Sequence, residues 1–475
     1  MNRRKFLKVL GGGALATATV AAGCGNPNET FAEGQSLGVV PTDKMTYREN
    51  SHGDKVSLLG FGCMRLPTID GQSGREQDQV LDQDRINEMF DYAIAHGVNL
   101  FDTAPPYCKG NSEHAVGVAL SRHRRNEYFI STKLSNMNCA TWSRKASIAM
   151  FENSLKELQV DYVDYLMLHC MGLPGRDANG VEIEPMEAYK RRFIDNGMLD
   201  YLLEQRKKGR IRNLGFSYHG DVKVFDYLLS QHDTIHWDHV LIQHNYLNWQ
   251  HAAEVSGRDA NSEYLYGELE KRNIPVFVME PLLGGQLATL HDDAVSQMKQ
   301  REPQRSVASW AFRFAASQPR ILTVLSGMTY LEHLQDNIRT YSPLKPLSEA
   351  EKQMLHDIAE TYVSFPTIPC TACKYCMPCP YGLDIPAIFA HYNKCLNEGN
   401  LIDDTQLVVL DDHRSYQQAR RAFLVGYDRS VPRLRQADHC IACGRCVTEC
   451  PQGIDIPAQM TRIDNYVEKI KQLTS

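Results

Sequence analysis

Eight of the 14 cysteines lie in two short runs in the last quarter of the chain. Within each run the first three cysteines are separated by two residues, so several thiolates can reach one metal centre. Clustering of this kind indicates metal ligation rather than a disulfide framework. The first run is Cys370, Cys373, Cys376 and Cys379, and the second is Cys440, Cys443, Cys446 and Cys450.

Both runs end in Cys-Pro, and they resemble the pattern of ferredoxins that hold two 4Fe-4S clusters. Zinc ribbons are the alternative, but they rarely carry three such cysteines and a fourth before proline. The first run is one residue shorter than the standard spacing before its Cys-Pro, which makes Cys379 the least regular ligand. The resemblance implies one cluster on Cys370, Cys373, Cys376 and Cys450, and the other on Cys440, Cys443, Cys446 and Cys379.

Four further reactive side chains stand at the ends of apolar segments. Asp102 and Lys133 each end a segment, Tyr107 follows the first of these in a loop, and His169 ends the next. A phenol with a pKa near 10 transfers protons poorly at neutral pH unless a cation stands beside it. A partly buried cation in turn needs a counter-ion. If the four side chains meet, they form a proton-transfer site.

These side chains meet only if their segments lie side by side, and the pattern of the segments predicts a barrel. Eight strand-like runs alternate with segments of helical spacing, which predicts an α/β fold of the (β/α)8 TIM barrel type with its active site at the carboxyl ends of the strands. A doubly wound sheet is the alternative, but no Gly-x-Gly-x-x-Gly turn follows the first strand. A short hairpin is predicted to precede the barrel. The predicted strands are Leu58–Cys63, Asn99–Thr103, Tyr128–Lys133, Val163–His169, Ile211–Ser217, His239–Asn245, Pro275–Glu280 and Ile321–Ser326.

The segments around these residues resemble the aldo-keto reductase family over about residues 45–345. The matching motifs, in family order, are Phe101 to Tyr107, Ser131 to Lys133 and Leu166 to His169. The resemblance implies that Tyr107 is the general acid that protonates a carbonyl oxygen and that Lys133 favours its phenolate. It also implies that Asp102 keeps Lys133 charged and that His169 orients the carbonyl.

The same resemblance implies a nicotinamide cofactor, NAD or NADP, but the match is partial. Glu280 stands where the family usually has a tyrosine that stacks on the nicotinamide. Met328 and His333 stand where Lys or Arg usually pairs with the 2′-phosphate of NADPH, so no preference for NADPH is predicted. A cleft that has lost its cofactor is the alternative. The implied contacts are Ser217 and Gln243 at the nicotinamide amide, Gly284 and Gly327 near the phosphates, and Asp336 and Asn337 near the adenine.

The first 24 residues have the features of a targeting segment. Arg3 and Arg4 precede Lys5-Phe6-Leu7-Lys8 and a short apolar run, a pattern that resembles the twin-arginine export signal. A Sec signal with a chance Arg-Arg pair is the alternative. Ala21 to Cys24 resembles a lipobox, in which Cys24 would be lipidated, although its usual leucine is replaced by Ala21. We expect an exported protein, periplasmic or anchored on the outer side of the cytoplasmic membrane.

Length and charge limit the remaining possibilities. The 475 residues carry 51 Lys and Arg against 57 Asp and Glu, and this net charge of −6 argues against a polybasic nucleic-acid binder. We predict a signal peptide at 1–24, a linker at 25–44, the barrel at 45–345 and a connecting helix at 346–366. Residues 367–475 are predicted to form a small α-helical ferredoxin-like iron–sulfur domain.

Two hypotheses for the function follow. In the first, the chain is an oxidoreductase that interconverts a small carbonyl compound and an alcohol, and its clusters exchange electrons with an unknown redox partner. In the second, the barrel is catalytically vestigial and the chain is an electron-transfer or binding module. The presence of all four polar residues favours the first. The cysteines without ligand spacing are interpreted as buried or incidental thiols, and Cys108 and Cys170 are singled out only because each follows a candidate catalytic residue.

Overall fold

The computed structural model describes residues 39–69, 80–257, 259–364, 367–401 and 413–472. The predicted signal peptide, Cys24 and most of the predicted linker at 25–44 lie outside these residues. Within the described part of the chain, no helix has both the length and the apolar character needed to cross a membrane.

Eight parallel strands close into a barrel, which confirms the predicted fold class. The strands follow one another around the barrel in chain order, and the last pairs with the first through Val324 opposite Leu59. A two-stranded antiparallel hairpin, Tyr47–Glu49 and Lys55–Ser57, precedes the barrel as predicted. The barrel strands are Leu59–Gly62, Leu100–Asp102, Phe129–Leu134, Val163–Met171, Ile211–Tyr218, His239–Gln243, Val276–Met279 and Ile321–Gly327.

Helices cover the outside of the barrel. Each packs through an apolar face whose residues recur with the period of a helix. The helix Gln83–Ala95 shows why: the Asp82 side chain accepts a hydrogen bond from the Arg85 amide at its start, and residues three or four apart are buried. The main helices of this layer are Gln83–Ala95, Ser112–Leu120, Arg144–Glu157, Met198–Lys207, Val222–Ser230, Asn248–Ser256, Ser262–Lys271, Asp292–Arg301, Val307–Ala315 and Leu331–Tyr341.

The barrel interior is packed with side chains and is closed at its amino end by the hairpin. Val56 of the hairpin packs with Leu100, Tyr165 and Phe277 inside the barrel. Asn50 in the hairpin turn donates a hydrogen bond to the hydroxyl of Tyr165 at 2.9 Å. A filled amino end leaves the opposite, carboxyl end for a site.

The sixth strand ends at Gln243, two residues before its predicted end at Asn245. The Asn245 side chain accepts hydrogen bonds from the amides of Leu247 and Asn248, each at 2.9 Å. A side chain that pairs with nearby backbone in this way favours a turn over a continued strand. The apolar pattern alone does not reveal this competition.

The helix Glu349–Ser364 lies within the segment predicted to connect the two domains. Its buried face packs in one cluster with Trp310 and Leu283 of the barrel. The Glu351 carboxylate is 3.1 Å from the fully buried guanidinium of Arg313. This helix is therefore packed on the barrel by both apolar contacts and a buried ion pair.

The carboxyl-terminal region is helical, as predicted, and has its own apolar core. That core includes Ile388, Phe389, Phe423, Met460 and Ile463, all fully buried. Its helices are Ile385–Asn397, His413–Ser430, Arg445–Glu449 and Ile456–Gln472. The cysteine runs lie in the loops that precede these helices and around the short third helix.

Candidate functional site

A buried ion pair stands at the carboxyl end of the barrel. The Lys133 Nζ donates to Asp102 Oδ1 at 2.6 Å and to the Thr103 carbonyl at 2.8 Å. Ser131 donates to the other carboxylate oxygen of Asp102 at 2.8 Å. Lys133 is 1% and Asp102 3% exposed. A charged pair this deeply buried is maintained only because each partner satisfies the other, and it fixes the ammonium in one position.

Tyr107 lies against this pair. The Lys133 Nζ is 4.8 Å from the centre of the Tyr107 ring, and the ring is 9% exposed. The Tyr107 amide donates to the Ala104 carbonyl, a turn that returns the side chain toward the strand end. The His169 ring meets Tyr107 edge to face, with centroids 6.1 Å apart. The structure therefore brings all four predicted residues together at one rim.

His169 is buried and held at one ring nitrogen. Its Nδ1 is 2.6 Å from the Ser135 hydroxyl, which leaves Nε2 as the nitrogen that is not used by this contact. Burial lowers the pKa of His169 well below its usual value, and the nearby Lys133 and Arg192 cations lower it further. The ring is therefore a neutral imidazole at pH 7, which suits it to orient a polar ligand by hydrogen bonding.

Arg192 is a buried residue beside the rim that the sequence analysis did not identify. Its guanidinium is buried and donates to the His169 carbonyl at 2.5 Å and to Asn136 Oδ1 at 3.2 Å. The peptide segment it holds includes Cys170, whose φ of 57° lies in the left-handed region. Arg192 comes from a π-helical turn, Lys190–Ile194, far from the strand ends in sequence, so no local signal marks it.

Glu113 is a second missed residue. It lies on the helix Ser112–Leu120, which comes after Tyr107 in the chain, and is 3% exposed. Its carboxylate accepts a hydrogen bond from Thr132 at 2.6 Å. Burial raises the pKa of its carboxyl to about 7, although the Thr132 hydroxyl and the Lys133 cation act in the opposite direction. This buried carboxyl, bound to the residue that precedes Lys133, is a proton-binding group that neither the motif nor its spacing reveals.

We expect a Glu113→Gln substitution to stabilise the protein increasingly as pH rises. The folded carboxyl has a pKa of about 7, above the ordinary 4.5 of the unfolded chain. Its contribution to stability is therefore present below pH 4.5 and lost as pH rises to about 7. The difference in unfolding free energy, variant minus wild type, should grow by on the order of 3 kcal/mol across this window.

Thermal unfolding at pH 5 and pH 8 measures this difference. The exposed Glu332 provides the matched control, since Glu332→Gln removes the same carboxylate from the surface. A Tm difference between the Glu113 variant and wild type that stays constant across this pH range would contradict the assigned protonation.

The residues expected at the nicotinamide are both buried at the rim. Ser217 is already engaged, because its hydroxyl accepts a hydrogen bond from the Cys170 amide at 2.8 Å. Gln243 is 4% exposed, and neither its amide nitrogen nor its amide oxygen has a partner within the described structure. Buried amides are normally paired, so Gln243 fits a polar group of a bound molecule.

The two glycines expected near the phosphates are covered by the chain itself. A Cβ built on Gly284 would lie 2.4 Å from the backbone of Thr371, which belongs to the first cysteine run. A Cβ on Gly327 would lie 3.3 Å from the Arg65 side chain. The space that a diphosphate would need at Gly284 is occupied, so these residues do not fit a dinucleotide in this arrangement.

The residues expected near the adenine take part in helix contacts. Asp336 accepts a hydrogen bond from Ser306 at 2.6 Å, and Asn337 donates one to Ser326 at 3.0 Å. Met328, at the place of a usual 2′-phosphate partner, is fully buried in the apolar core. Each of these three side chains is thus engaged with neighbouring parts of this chain.

The cysteines converge in two cavities. One is lined by four of them together with apolar residues such as Phe389 and Ile456. These four cysteines are Cys370, Cys373, Cys376 and Cys450. They come from both runs and correspond to the set that the ferredoxin resemblance implies.

The second cavity is lined by Cys440, Cys443, Cys446 and Cys379. The shorter spacing of the first run therefore does not prevent Cys379 from reaching this group. Burial and, to a smaller extent, the neighbouring thiols raise the pKa of the Cys446 thiol to about 11. A bound metal reverses this effect, because a coordinated thiol is deprotonated. Four thiols facing one cavity fit an iron–sulfur cluster.

A closed eight-stranded parallel barrel with helices outside it and polar groups at its carboxyl rim defines a protein of the (β/α)8 class. The sequence model of the Aldo/keto reductase family matches residues 58–360, and the chain belongs to that family. A 4Fe-4S dicluster domain is matched at residues 369–454, so an iron–sulfur domain follows the barrel along the chain.

Several known proteins resemble the barrel part of the chain. It is 24% identical to the uncharacterized oxidoreductase YqkF of Bacillus subtilis over 336 residues, covering 63% of this chain and 94% of that protein. It is 23% identical to L-galactose dehydrogenase of Arabidopsis thaliana over 313 residues, 62% of this chain and 87% of that protein. An aldo-keto reductase structure from Klebsiella pneumoniae in complex with NADPH has a TM-score of 0.50 at 20% identity, covering 66% of this chain and 95% of that one. This last likeness concerns the fold.

Proposed function

We propose that the protein interconverts a carbonyl compound and an alcohol, with Tyr107 as the general acid and base. The observation that carries this proposal is the buried Lys133 ammonium, paired with Asp102 at 2.6 Å and 4.8 Å from the Tyr107 ring centre. A tyrosine that must give and take a proton near neutral pH needs such a cation, and the surrounding structure supplies one in a fixed place.

Each residue of the rim has a separate part in this reaction. The neutral imidazole of His169 orients the carbonyl oxygen through the nitrogen that Ser135 leaves unused. Tyr107 donates its hydroxyl proton to that oxygen during reduction and recovers it during oxidation. Lys133 favours the phenolate that remains, and Asp102 keeps the ammonium charged. Small polar molecules such as sugars are a suitable substrate class, since the relative named L-galactose dehydrogenase acts on one.

The reduction adds two electrons and two protons to the carbonyl group. The electrons convert the C=O double bond to a single bond, one proton reaches oxygen from Tyr107, and one from solvent ends on carbon. The two sets of four cysteines would hold 4Fe-4S clusters, which would supply one-electron transfer, so two such transfers would meet the requirement. A redox partner outside the chain would restore the two electrons.

A second candidate function is electron transfer without barrel chemistry. The observation that favours it is the covered Gly284, because a barrel of this family without access for a dinucleotide could have lost its reaction. The two candidates differ in whether substitutions at the rim change turnover of a carbonyl or alcohol.

We expect Lys133→Met to move the pH profile of alcohol oxidation upward by about 1–3 pH units. Deleting the cation disfavours the phenolate that must accept the alcohol proton, so a higher pH is needed to generate it. A panel of alcohols, aldehydes and keto-sugars, assayed anaerobically with an artificial electron carrier, provides the activity for this measurement.

The exposed Lys145 provides a matched control, since Lys145→Met removes the same charge on an outer helix. It should leave the pH profile in place. Equal profiles for wild type and Lys133→Met would refute the role of Lys133, and turnover absent in both would favour the electron-transfer candidate.

A further inference from the structure

The first cysteine run is packed directly on the mouth of the barrel. Arg65 at the end of the first barrel strand region donates to the Thr371 carbonyl at 2.8 Å. Gln286 donates to the Cys370 carbonyl at 2.8 Å and accepts from the Tyr362 hydroxyl at 2.6 Å. Thr371 is 1% exposed. Two side chains outside the cysteine runs, Arg65 and Gln286, thus hold the loop 368–376 against the barrel, and Tyr362 holds Gln286 in place.

The closest approach is between backbones, at Gly284. This residue has a φ of 67°, and an added Cβ would lie 2.4 Å from both Cα and the carbonyl oxygen of Thr371. Real Cβ contacts are never so short, so the loop can lie here only because residue 284 has no side chain. Gly284, which was expected near a phosphate, instead allows the loop 368–376 to pack on the barrel.

Arg65 also contacts this chain at a place where a phosphate would be expected. A guanidinium at a cofactor cleft is well suited to pair with a phosphate, yet this one donates to Thr371 and also lies over Gly327. Both glycines of the expected phosphate contact are therefore covered by parts of this chain. The covering groups are linked to one another through the bond from Arg65 to Thr371.

The loop also brings a cluster ligand to the barrel. Cys370, which lines the first cysteine cavity, has its carbonyl bound by Gln286, in the segment that follows the seventh barrel strand. The first cysteine cavity is thus adjacent to the carboxyl end of the barrel.

We infer that the loop 368–376 takes the place of the dinucleotide, so that the barrel excludes free NAD(P)H and exchanges electrons with the cluster cavity of Cys370, Cys373, Cys376 and Cys450. The exclusion follows from the packing alone. The electron exchange rests on the proposed function, with the balance of two electrons and two protons given there.

The exclusion is tested by calorimetric titration of NADPH and of NADH into the anaerobically purified full-length protein. We expect no saturable binding of either dinucleotide up to about 1 mM. Saturable binding at one site per chain would overturn the inference. This measurement needs no substrate and no turnover.

The packing of the loop 368–376 on Gly284 is tested with two matched glycine substitutions. Gly284→Ala and Gly285→Ala each add a methyl group at a positive φ, but only the first would meet Thr371, since no atom lies within 4 Å of a Cβ on Gly285. We expect hydrogen exchange of the amides in 368–376 to rise at least about tenfold in Gly284→Ala and to stay unchanged in Gly285→Ala. Equal exchange in both variants, with iron content and circular dichroism retained, would show that the loop is not seated on Gly284.

The electron exchange is tested separately. The clusters of the full-length protein are reduced with dithionite, excess reductant is removed, and each compound of the carbonyl panel is added without dinucleotide. We expect a compound that is turned over to abolish the paramagnetic resonance signal of the reduced clusters. A signal that persists with every compound, while the dinucleotide remains excluded, would overturn the electron exchange and the proposed function but leave the exclusion intact.

Discussion

Replacing Tyr107 by phenylalanine is expected to lower carbonyl and alcohol turnover by roughly 10²–10⁴-fold. The substitution keeps the ring that packs near Lys133 and His169 and removes only the hydroxyl. Because the hydroxyl is the group that carries the proton in the proposed reaction, the loss should appear in kcat for any substrate of the panel. Iron content and thermal stability should remain close to those of wild type.

The half-exposed Tyr227 provides the matched control, since Tyr227→Phe removes the same group from an outer helix. It should leave turnover unchanged. If Tyr107→Phe reduces the panel compounds as fast as wild type, then another group carries the proton and the assignment of the rim is wrong.

Replacing a single cavity cysteine is expected to remove one whole cluster. Anaerobic wild-type protein should contain about eight iron and eight sulfide per chain, and Cys373→Ser should contain about four of each. The physical reason is that four thiolates hold each cluster, and a hydroxyl at physiological pH does not replace one of them. Cys443→Ser should remove the other cluster and leave the first.

The pairing across the two runs gives this experiment its sharpest form. Cys450→Ser should abolish the same resonance signal as Cys373→Ser, because both residues line the first cavity. Cys139, which lies outside both cavities and is partly exposed, serves as the control, and Cys139→Ser should keep all the iron. Zinc in place of iron in wild type, or a signal lost with Cys379 rather than Cys450, would contradict the assignment.

The resemblance of the cysteine runs led to both the type of domain and the grouping of the cysteines. The structure places the same two sets of four around two cavities. This agreement has a simple origin: cysteines two residues apart can meet only in a tight loop. The first three cysteines of each run therefore face the same cavity, and the fourth lines the cavity of the other run.

The sequence also determined the barrel and the four residues of its rim. Eight apolar strands with helices between them have one compact closed arrangement, and this brings the strand ends that carry Asp102, Lys133 and His169 to one side. Tyr107 follows from the same geometry, since its loop starts at the end of the second strand. These predictions succeed because the period of the pattern and the order of the strands are properties of the chain itself.

Only the tertiary structure decided what fills the cofactor cleft and what supports the rim. Arg192 reaches the His169 carbonyl and Glu113 reaches Thr132 of the third strand, both from helical segments, and their burial, not their neighbours in sequence, gives them their properties. Gly284 keeps the spacing of a phosphate contact, yet it contacts Thr371, 87 positions further along the chain. A glycine in the sequence indicates that some group can approach the backbone closely at that position. Only the folded chain shows that at Gly284 this group is the loop 368–376.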